Sequence, residues 1–470
     1  MIVNFGGNVR FKPREVYAPA TEADVLAILD RHAHGKVRVV GALHSWSPAV
    51  VCDDALVDLR HFDRVEVQHD ADGAVWATVG GGCLIKHLLP KLHRLADATI
   101  PSLGLITEQT IAGAISTATH GSGKHSLSHY IAELRVAAYD ANGKARVTTW
   151  SEGAELQAAR CAVGCMGIIL AVRFRCIPRY EIAETMVRCA TLDDVLAEEA
   201  EFPLQQFYLT PHLWSYFVQR RLVIPGFRPR RTVAANCYRA WWFFSIDIGL
   251  HLVIKALASV LRSPKLTRFF FRQLLPKLIL TNVTIADHGE RMLVMEHELF
   301  KHLEIEIFVP ATHLREAAAF VQKVLQVFDG TCEPEGRTSL ATVERIGMGD
   351  ELWQYRATYT HHYPITFRRV LPDDAMISMT GGADEPYYAI SFITYVEPRE
   401  SFYALASFLA RSMTHLFQAR LHWGKYFPLT NADVEKIYPR LPEFRALCRQ
   451  VDPNGVFRNE FTERILFGAR

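Results

Sequence analysis

Paired cysteines are missing from this sequence. Its nine cysteines are scattered from Cys52 to Cys448, are odd in number and include no Cys-x-x-Cys pair. That excludes the common thiolate zinc patterns and a disulfide scaffold, and favours reduced thiols. An excess of either charge is missing too: 52 Lys and Arg stand against 50 Asp and Glu, which removes a general electrostatic case for nucleic acid. No uncharged apolar run reaches the ~18 residues of a spanning helix. The nearest approach, 241–261, is interrupted by Asp247, His251 and Lys255, so no spanning helix is expected. Residues 1–14 carry Asn4, Asn8, Arg10 and two glycines where a secretion signal would have an apolar core. The expected location is the cytoplasm or the cytoplasmic face of a membrane. Two nucleotide signatures are absent as well, the Gly-x-Gly-x-x-Gly that opens a helix and the Gly-Lys-Ser/Thr of a phosphate loop, which disfavours a nicotinamide Rossmann domain.

What is present is a chain of 470 residues, 49% hydrophobic and 22% charged, long enough for two domains, one of them inserted in the other. Thr21 followed by Asp24 predicts a capped helix start with Val25, Leu26 and Leu29 on its apolar face. Short strands are expected at 37–40, 56–59 and 75–79, a helix at 84–95, and a hairpin turning at Asn142-Gly143 between 134–139 and 145–149. From about Pro178 the pattern shifts to longer strands, 303–309 and 387–395, and amphipathic helices, 314–328 and 402–417. The expected class is α+β, with domains at 1–178 and 179–435 and a C-terminal segment, 436–470, returning to the first.

Between Arg220 and Lys277 twelve basic residues, among them Arg228, Arg230 and Arg231, face a single acid, Asp247. They are interleaved with Trp241 to Phe244 and Phe269 to Phe271. A basic, aromatic insertion of this kind, at about 217–280, can lie in a membrane interface with its charges on anionic lipid.

Three small-residue segments occur in the first 180 positions: Val40-Gly41-Ala42-Leu43-His44-Ser45, then Thr110 to Gly123, then Gly164 to Ile169. Glycine lets backbone amides approach phosphate oxygens, and Ser or Thr hydroxyls can complete such a cradle. Near the other end stands His422-Trp423-Gly424-Lys425. Phe367 to Asp374 holds Arg368 ahead of paired acids, and Ile390 to Tyr395 is a strand that puts Phe392 and Thr394 on one face. Glu304 and Glu306 share a strand face; such carboxylates can do acid-base work, although a solvated or salt-bridged face is commoner. No spacing points to a metal site.

In order and content the three segments, from Asn4 to Pro178, resemble the FAD domain of the vanillyl-alcohol oxidase (PCMH) type of flavoprotein. His422 to Lys425 resembles the C-terminal signature of its sugar-1,4-lactone (L-gulonolactone and D-arabinonolactone) and alditol oxidase branch. The resemblance implies a two-subdomain FAD-binding domain and a substrate domain with an antiparallel sheet flanked by helices. It implies FAD cradled by Val40, Gly41, Ala42, Leu43 and Ser45, by Thr110, Gly113, Thr117, Thr119, His120 and Gly121, by Gly164, Gly167 and Ile169, and by His422. His44 takes the position that bonds the flavin ring covalently, and His120 braces the cofactor loop without a catalytic role. Lys425, Arg368 and Thr394 take the reaction side.

The implied reaction is oxidation of a CH-OH group of a sugar-derived lactone or polyol by hydride transfer to flavin N5, with oxygen or another acceptor reoxidising the flavin. Two positions depart from the family pattern. Thr366 stands where a glutamate normally orients the arginine, which leaves Arg368 without its carboxylate, and Phe392 replaces a histidine. Both losses of polarity allow a more apolar or lipid-linked alcohol handled at a membrane surface, and the missing glutamate alone allows a flavin-binding scaffold without turnover.

Overall fold

Thr21 opens the first helix, α1 (Glu22–Arg31), with the reciprocal cap that its spacing to Asp24 predicts. In the computed structural model, which describes residues 1–224, 232–295, 300–332, 341–395 and 399–468, α1 turns Val25, Ile28 and Leu29 inward. It joins two strands of a small parallel sheet, β1 (Glu15–Tyr17), β2 (Val37–Val40) and β3 (Ala55–Asp58), with β3 in the middle. The turn 41–45 therefore leaves the carboxyl end of a parallel strand, the edge where ligands collect in such sheets.

A five-stranded antiparallel sheet follows, made of β4 (Val65–His69), β5 (Val75–Gly80), β6 (Ile131–Tyr139), β7 (Ala145–Trp150) and β8 (Ile168–Arg175), in the order β7-β6-β8-β5-β4. The expected hairpin joins β6 and β7: Gly143 sits at φ 73° and Tyr139 pairs with Ala145. Helices α2 (Ile85–Ala96) and α3 (Ile111–Ser116) lie between β5 and β6 in the chain.

An eight-stranded antiparallel sheet dominates the second half. Its strands are β9 (Glu181–Cys189), β10 (Gln206–Leu209), β11 (Tyr216–Ile224), β12 (Thr284–His288), β13 (His302–Pro310), β14 (Ile365–Val370), β15 (Tyr387–Tyr395) and β16 (Arg420–Leu421), in the order β12-β9-β11-β10-β14-β15-β13-β16. Alternation gives the sheet two unlike faces. Leu303, Ile305, Phe367 and Phe392 are buried on one, the face that packs under α4 (Leu314–Phe328) and α5 (Glu400–Phe417). On the other, cross-strand pairing lines up Gln219, Gln206 and Arg368, and next to them Tyr208, Thr366, Ser391 and Glu306.

The basic insertion is shorter than the sequence suggests, because 217–224 belong to β11, an internal strand; helix starts at Val233. Arg228, Arg230 and Arg231 lie outside the described residues. Several of the remaining cations are used internally: Arg220 pairs with Glu198, Arg221 with Glu184 and Arg268 with Asp329. The segment Val233–Val260 is one continuous helix that is long and apolar enough to cross a membrane by length and composition alone, with little of it buried. Asp247, His251 and Lys255 break the apolar run, but a polar side chain does not break a helix.

The C-terminal segment closes the molecule. Val37 donates to the Val456 carbonyl (2.9 Å) and Asn459 Nδ2 to the Pro48 and Val51 carbonyls (2.9 Å each). Trp423 is fully buried, donates Nε1–H to the Ile377 carbonyl (2.6 Å) and stacks on Phe427 with centroids 4.7 Å apart. Truncation to Ala combines a large cavity with an unpaired buried carbonyl, so Trp423→Ala is expected to cost about 3–5 kcal/mol. A urea series followed by far-UV circular dichroism measures it, and Trp423→Phe should recover most of the loss.

Candidate active site

The turn after β2 is held from two sides. Asn4 Nδ2 donates to the Ser45 carbonyl (2.8 Å), Phe5 N–H donates to the Leu43 carbonyl (2.8 Å), and Trp46 N–H donates to the Gly424 carbonyl (2.7 Å). Leu43 adopts a left-handed φ of 59°, a conformation that bulky residues keep only where the surroundings fix it. The His44 ring stacks on Phe5 (5.1 Å, 14°), and its Nδ1 lies 3.1 Å from the Ala42 carbonyl. Thr110 caps α3 by accepting from the Gly113 N–H (3.2 Å). A Cβ on Gly41 would come within 2.6 Å of Thr110 Oγ1, the atom that makes this cap.

These segments wall a cavity of about 260 Å³. Val40 to Ser45, Thr110, Gly113, Thr117, Thr119, His120, Gly164, Gly167, Ile169, Arg368, His422 and Lys425 all line it. Gly121 and Thr394 do not. Gly121 turns its Cα toward the Leu103 carbonyl. Thr394 pairs with Leu303 on the helix-covered face, fully buried and 3.1 Å from His362 Nε2, which removes it from the candidate site. Phe392 shares that face. The neighbouring parity, Ser391 and Ile393, faces the cavity.

Sequence reasoning also missed the run Gly80-Gly81-Gly82 at the end of β5, of which Gly81 and Gly82 line the cavity. A Cβ on Gly82 would collide with the Leu59 carbonyl. Three consecutive glycines were the available signal.

At the opposite wall stands Glu306, with 3% of its side chain exposed. Its Oε1 accepts from Ser391 Oγ (2.9 Å) and Arg368 Nη1 (3.4 Å) and lies 3.5 Å from His120 Nε2. Arg368 Nε also donates to Gln206 Oε1 (3.2 Å). The arginine therefore does have a carboxylate, contrary to what Thr366 implies; it comes across the sheet from β13, through the register Glu306–Ser391–Thr366. Glu304 is ion-paired with Lys425 Nζ, which lies 4.2 Å over the Trp46 ring. The two carboxylates are thus salt-bridged and inward, not solvated. The His422–Lys425 turn is bonded to the same strand: His422 N–H donates to the Glu306 carbonyl (3.1 Å) and Tyr426 N–H to the Glu304 carbonyl (3.0 Å).

Burial alone pushes the Glu306 carboxyl up, but the positive groups around it, His120 and Lys425 among them, prevail and hold it well below the usual carboxylate range. His422 moves the other way. Burial pushes it down to about 3, so it is neutral at pH 7, and its Nδ1 accepts from the Gly424 N–H (3.0 Å). Among the described residues His120, Glu306 and His422 are the one group with metal-like spacing. Of their ligand atoms, Glu306 Oε1 and His422 Nδ1 accept from protein donors.

A lobe built on glycine turns, facing a lobe with two anchored cations, suits a flat redox cofactor that carries phosphates. A model of the FAD-binding domain matches residues 13–149, and the D-arabinono-1,4-lactone oxidase model matches residues 172–465. The chain belongs to the D-arabinono-1,4-lactone oxidase family. One relative, a long-chain alcohol oxidase from an uncultured marine euryarchaeote, is 48% identical over 98% of this chain and 96% of its own length. The L-gulonolactone oxidase of Mus musculus is 26% identical over 97% and 96%. A cholesterol oxidase from B. sterolicum superposes with a TM-score of 0.74 at 15% identity, over 99% of this chain and 96% of its own, which shows the fold. The protein is an FAD-dependent oxidoreductase acting on CH-OH donors, with the two-subdomain FAD-binding fold of the vanillyl-alcohol oxidase type. That removes the non-catalytic scaffold, whose premise, an arginine without a carboxylate, Glu306 also removes.

A carboxylate with a depressed pKa stabilises the fold fully above its unfolded value of ~4.3, and the contribution is lost as pH falls below it. Glu306→Gln is therefore expected to cost about 3–5 kcal/mol at pH 7 by leaving the partly buried Arg368 without its carboxylate. It should also shrink the loss of stability between about pH 5 and pH 3. Denaturant midpoints across that range, for variant and parent, measure both effects.

Proposed function

We propose that this enzyme oxidises the hydroxyl of an amphipathic, long-chain alcohol to a carbonyl. The observation that carries the reading is a second cavity, about 590 Å³, which shares Thr366, Arg368, His302 and Ile393 with the first. Its helical side brings Phe243, Leu250 and Leu275, with Phe300 beside them, between the polar side chains of Arg239, Asp247 and His251. An alcohol with its hydroxyl at Arg368 would lay its alkyl part there. The 48% identity to a relative named a long-chain alcohol oxidase supports the same substrate class.

Bound FAD supplies the two-electron acceptor. Oxidation takes a hydride from the carbinol carbon and a proton from its oxygen. Arg368 and Lys425 stabilise the negative charge growing on that oxygen, an effect strengthened where water is excluded. Glu304, bonded to Lys425 Nζ, is assigned the proton. His44 is assigned a covalent bond to the flavin ring, supported by its place on a turn fixed from both ends of the chain. Dioxygen is assigned as the final acceptor on the relatives named oxidases. We place the enzyme peripherally on the cytoplasmic face of a membrane, where such alcohols reside.

A second reading, oxidation of a sugar lactone or polyol, is favoured by the sheet side of the cavity. Gln206, Tyr208 and Gln219 form a hydrogen-bonded row beside Arg368 that can bind hydroxyls. Steady-state kinetics on n-alkanols and on L-gulono-1,4-lactone separate the two. For alkanols kcat/KM should rise roughly threefold to fourfold per methylene, the gain from burying ~0.8 kcal/mol each, until the cavity is filled. A lactone turned over better than every alkanol would reject the first reading. For the cofactor, acid precipitation of the purified protein should leave the yellow colour in the pellet, and His44→Ala should release it to the supernatant.

A further inference from the structure

Large apolar side chains exposed to water are concentrated on this protein. Of 18 among the described residues, 12 lie between Val233 and Val283. Phe244, Leu252 and Val260 come from the segment Val233–Val260, and Leu266, Phe269 and Leu274 from the helical stretch 264–278 that follows. Single exposed residues are ordinary, but a concentration of this size marks an interaction surface. The same span exposes Lys255, Arg262, Lys265, Arg272 and Lys277, and the sequence has no acid between Asp247 and Asp287. Cations among exposed apolar side chains complement a surface that is itself apolar beneath a layer of negative charge.

The helices do not stand away from the body as a spanning segment would. Ile254, Phe270, Phe271 and Leu275 form one buried cluster with Tyr363 and Tyr395, and the Tyr395 hydroxyl donates to the His251 carbonyl (2.6 Å). The polar breaks in the apolar run are explained by this placement: Arg239, Asp247 and His251 line the second cavity. Phe244 lines it too while 67% exposed, so the cavity reaches the surface inside the apolar patch.

We propose that the segments 233–260 and 264–278 dock the enzyme flat on an anionic phospholipid bilayer, and that the alcohol enters the second cavity from the lipid beside Phe244. The entry route rests on the substrate reading above; the docking does not.

Flotation of the full-length protein, with vesicles of phosphatidylcholine alone or mixed with phosphatidylglycerol, tests the docking. The protein should float with the anionic vesicles and at least tenfold less with the neutral ones. The variant Lys255→Glu/Arg262→Glu/Lys265→Glu/Lys277→Glu should lose that preference. Leu252→Asp/Val260→Asp/Phe269→Asp should stay at the bottom of both gradients while keeping its flavin content and its turnover of a short, soluble alcohol. A parent protein that does not float with anionic vesicles, or an aspartate variant that floats as well as the parent, overturns the docking. So does a dimer in solution that the aspartate substitutions dissociate, which would give the face to a second copy. With a long-chain alcohol carried in the vesicles, the aspartate variant should turn over at least tenfold more slowly than the parent. Equal rates would overturn the entry route and leave the docking standing.

Discussion

Removing a carboxylate from water costs several kcal/mol unless its charge is answered by more than one partner, and the reaction side of this enzyme is organised around meeting that cost at Glu306. Arg368, Ser391 and His120 converge on one of its oxygens. They come from β14, from β15 and from the loop after α3, so three parts of the chain must be in register before the charge is tolerable. Slipping β13 by one residue would replace Glu306 with Ile305 or Ile307 and send the carboxylate to the helix-covered face. The pair also fixes where Arg368 points, toward the boundary between the two cavities.

That boundary connects fold to chemistry. Glycine turns in the first lobe make room for a cofactor's backbone contacts, and the second lobe supplies Arg368 on a rigid strand, with Lys425 on the turn after β16. Sites on strands hold their geometry better than sites on loops. The His422–Lys425 turn ties the halves together: its main chain bonds to β13 and to Trp46, and its lysine to Glu304. The helical insertion adds Phe243, Leu250 and Leu275 to the lining of the second cavity, away from the glycine turns of the first, which separates the substrate question from the cofactor question. One family scaffold can then serve alcohols of different polarity.

Much of this was legible in local patterns. Thr21 with Asp24, Asn142-Gly143 and the spacing of 314–328 each specify an element through neighbours in the chain, and each is observed. The glycine segments were legible because small residues leave few alternatives to close backbone approach. What could not be read was anything set by a partner strand. Phe392 and Thr394 do share a face, yet nothing within 390–395 says which face meets the cavity; β13 and β14 decide that. The carboxylate for Arg368 was sought two residues away, at Thr366, and is supplied by Glu306 from across the sheet. The run 241–261 reads as broken because hydropathy falls at Asp247 and His251, while the helix continues and turns those residues to the cavity.

The pairing of Glu306 with Arg368 is tested most directly by a double-mutant cycle read as the rate of flavin reduction by an alcohol without oxygen. If the two act as one unit, Glu306→Gln and Arg368→Met each slow reduction by at least about a hundredfold, and the double variant is no slower than the worse single one. Independent effects, multiplying in the double variant, would contradict a shared role.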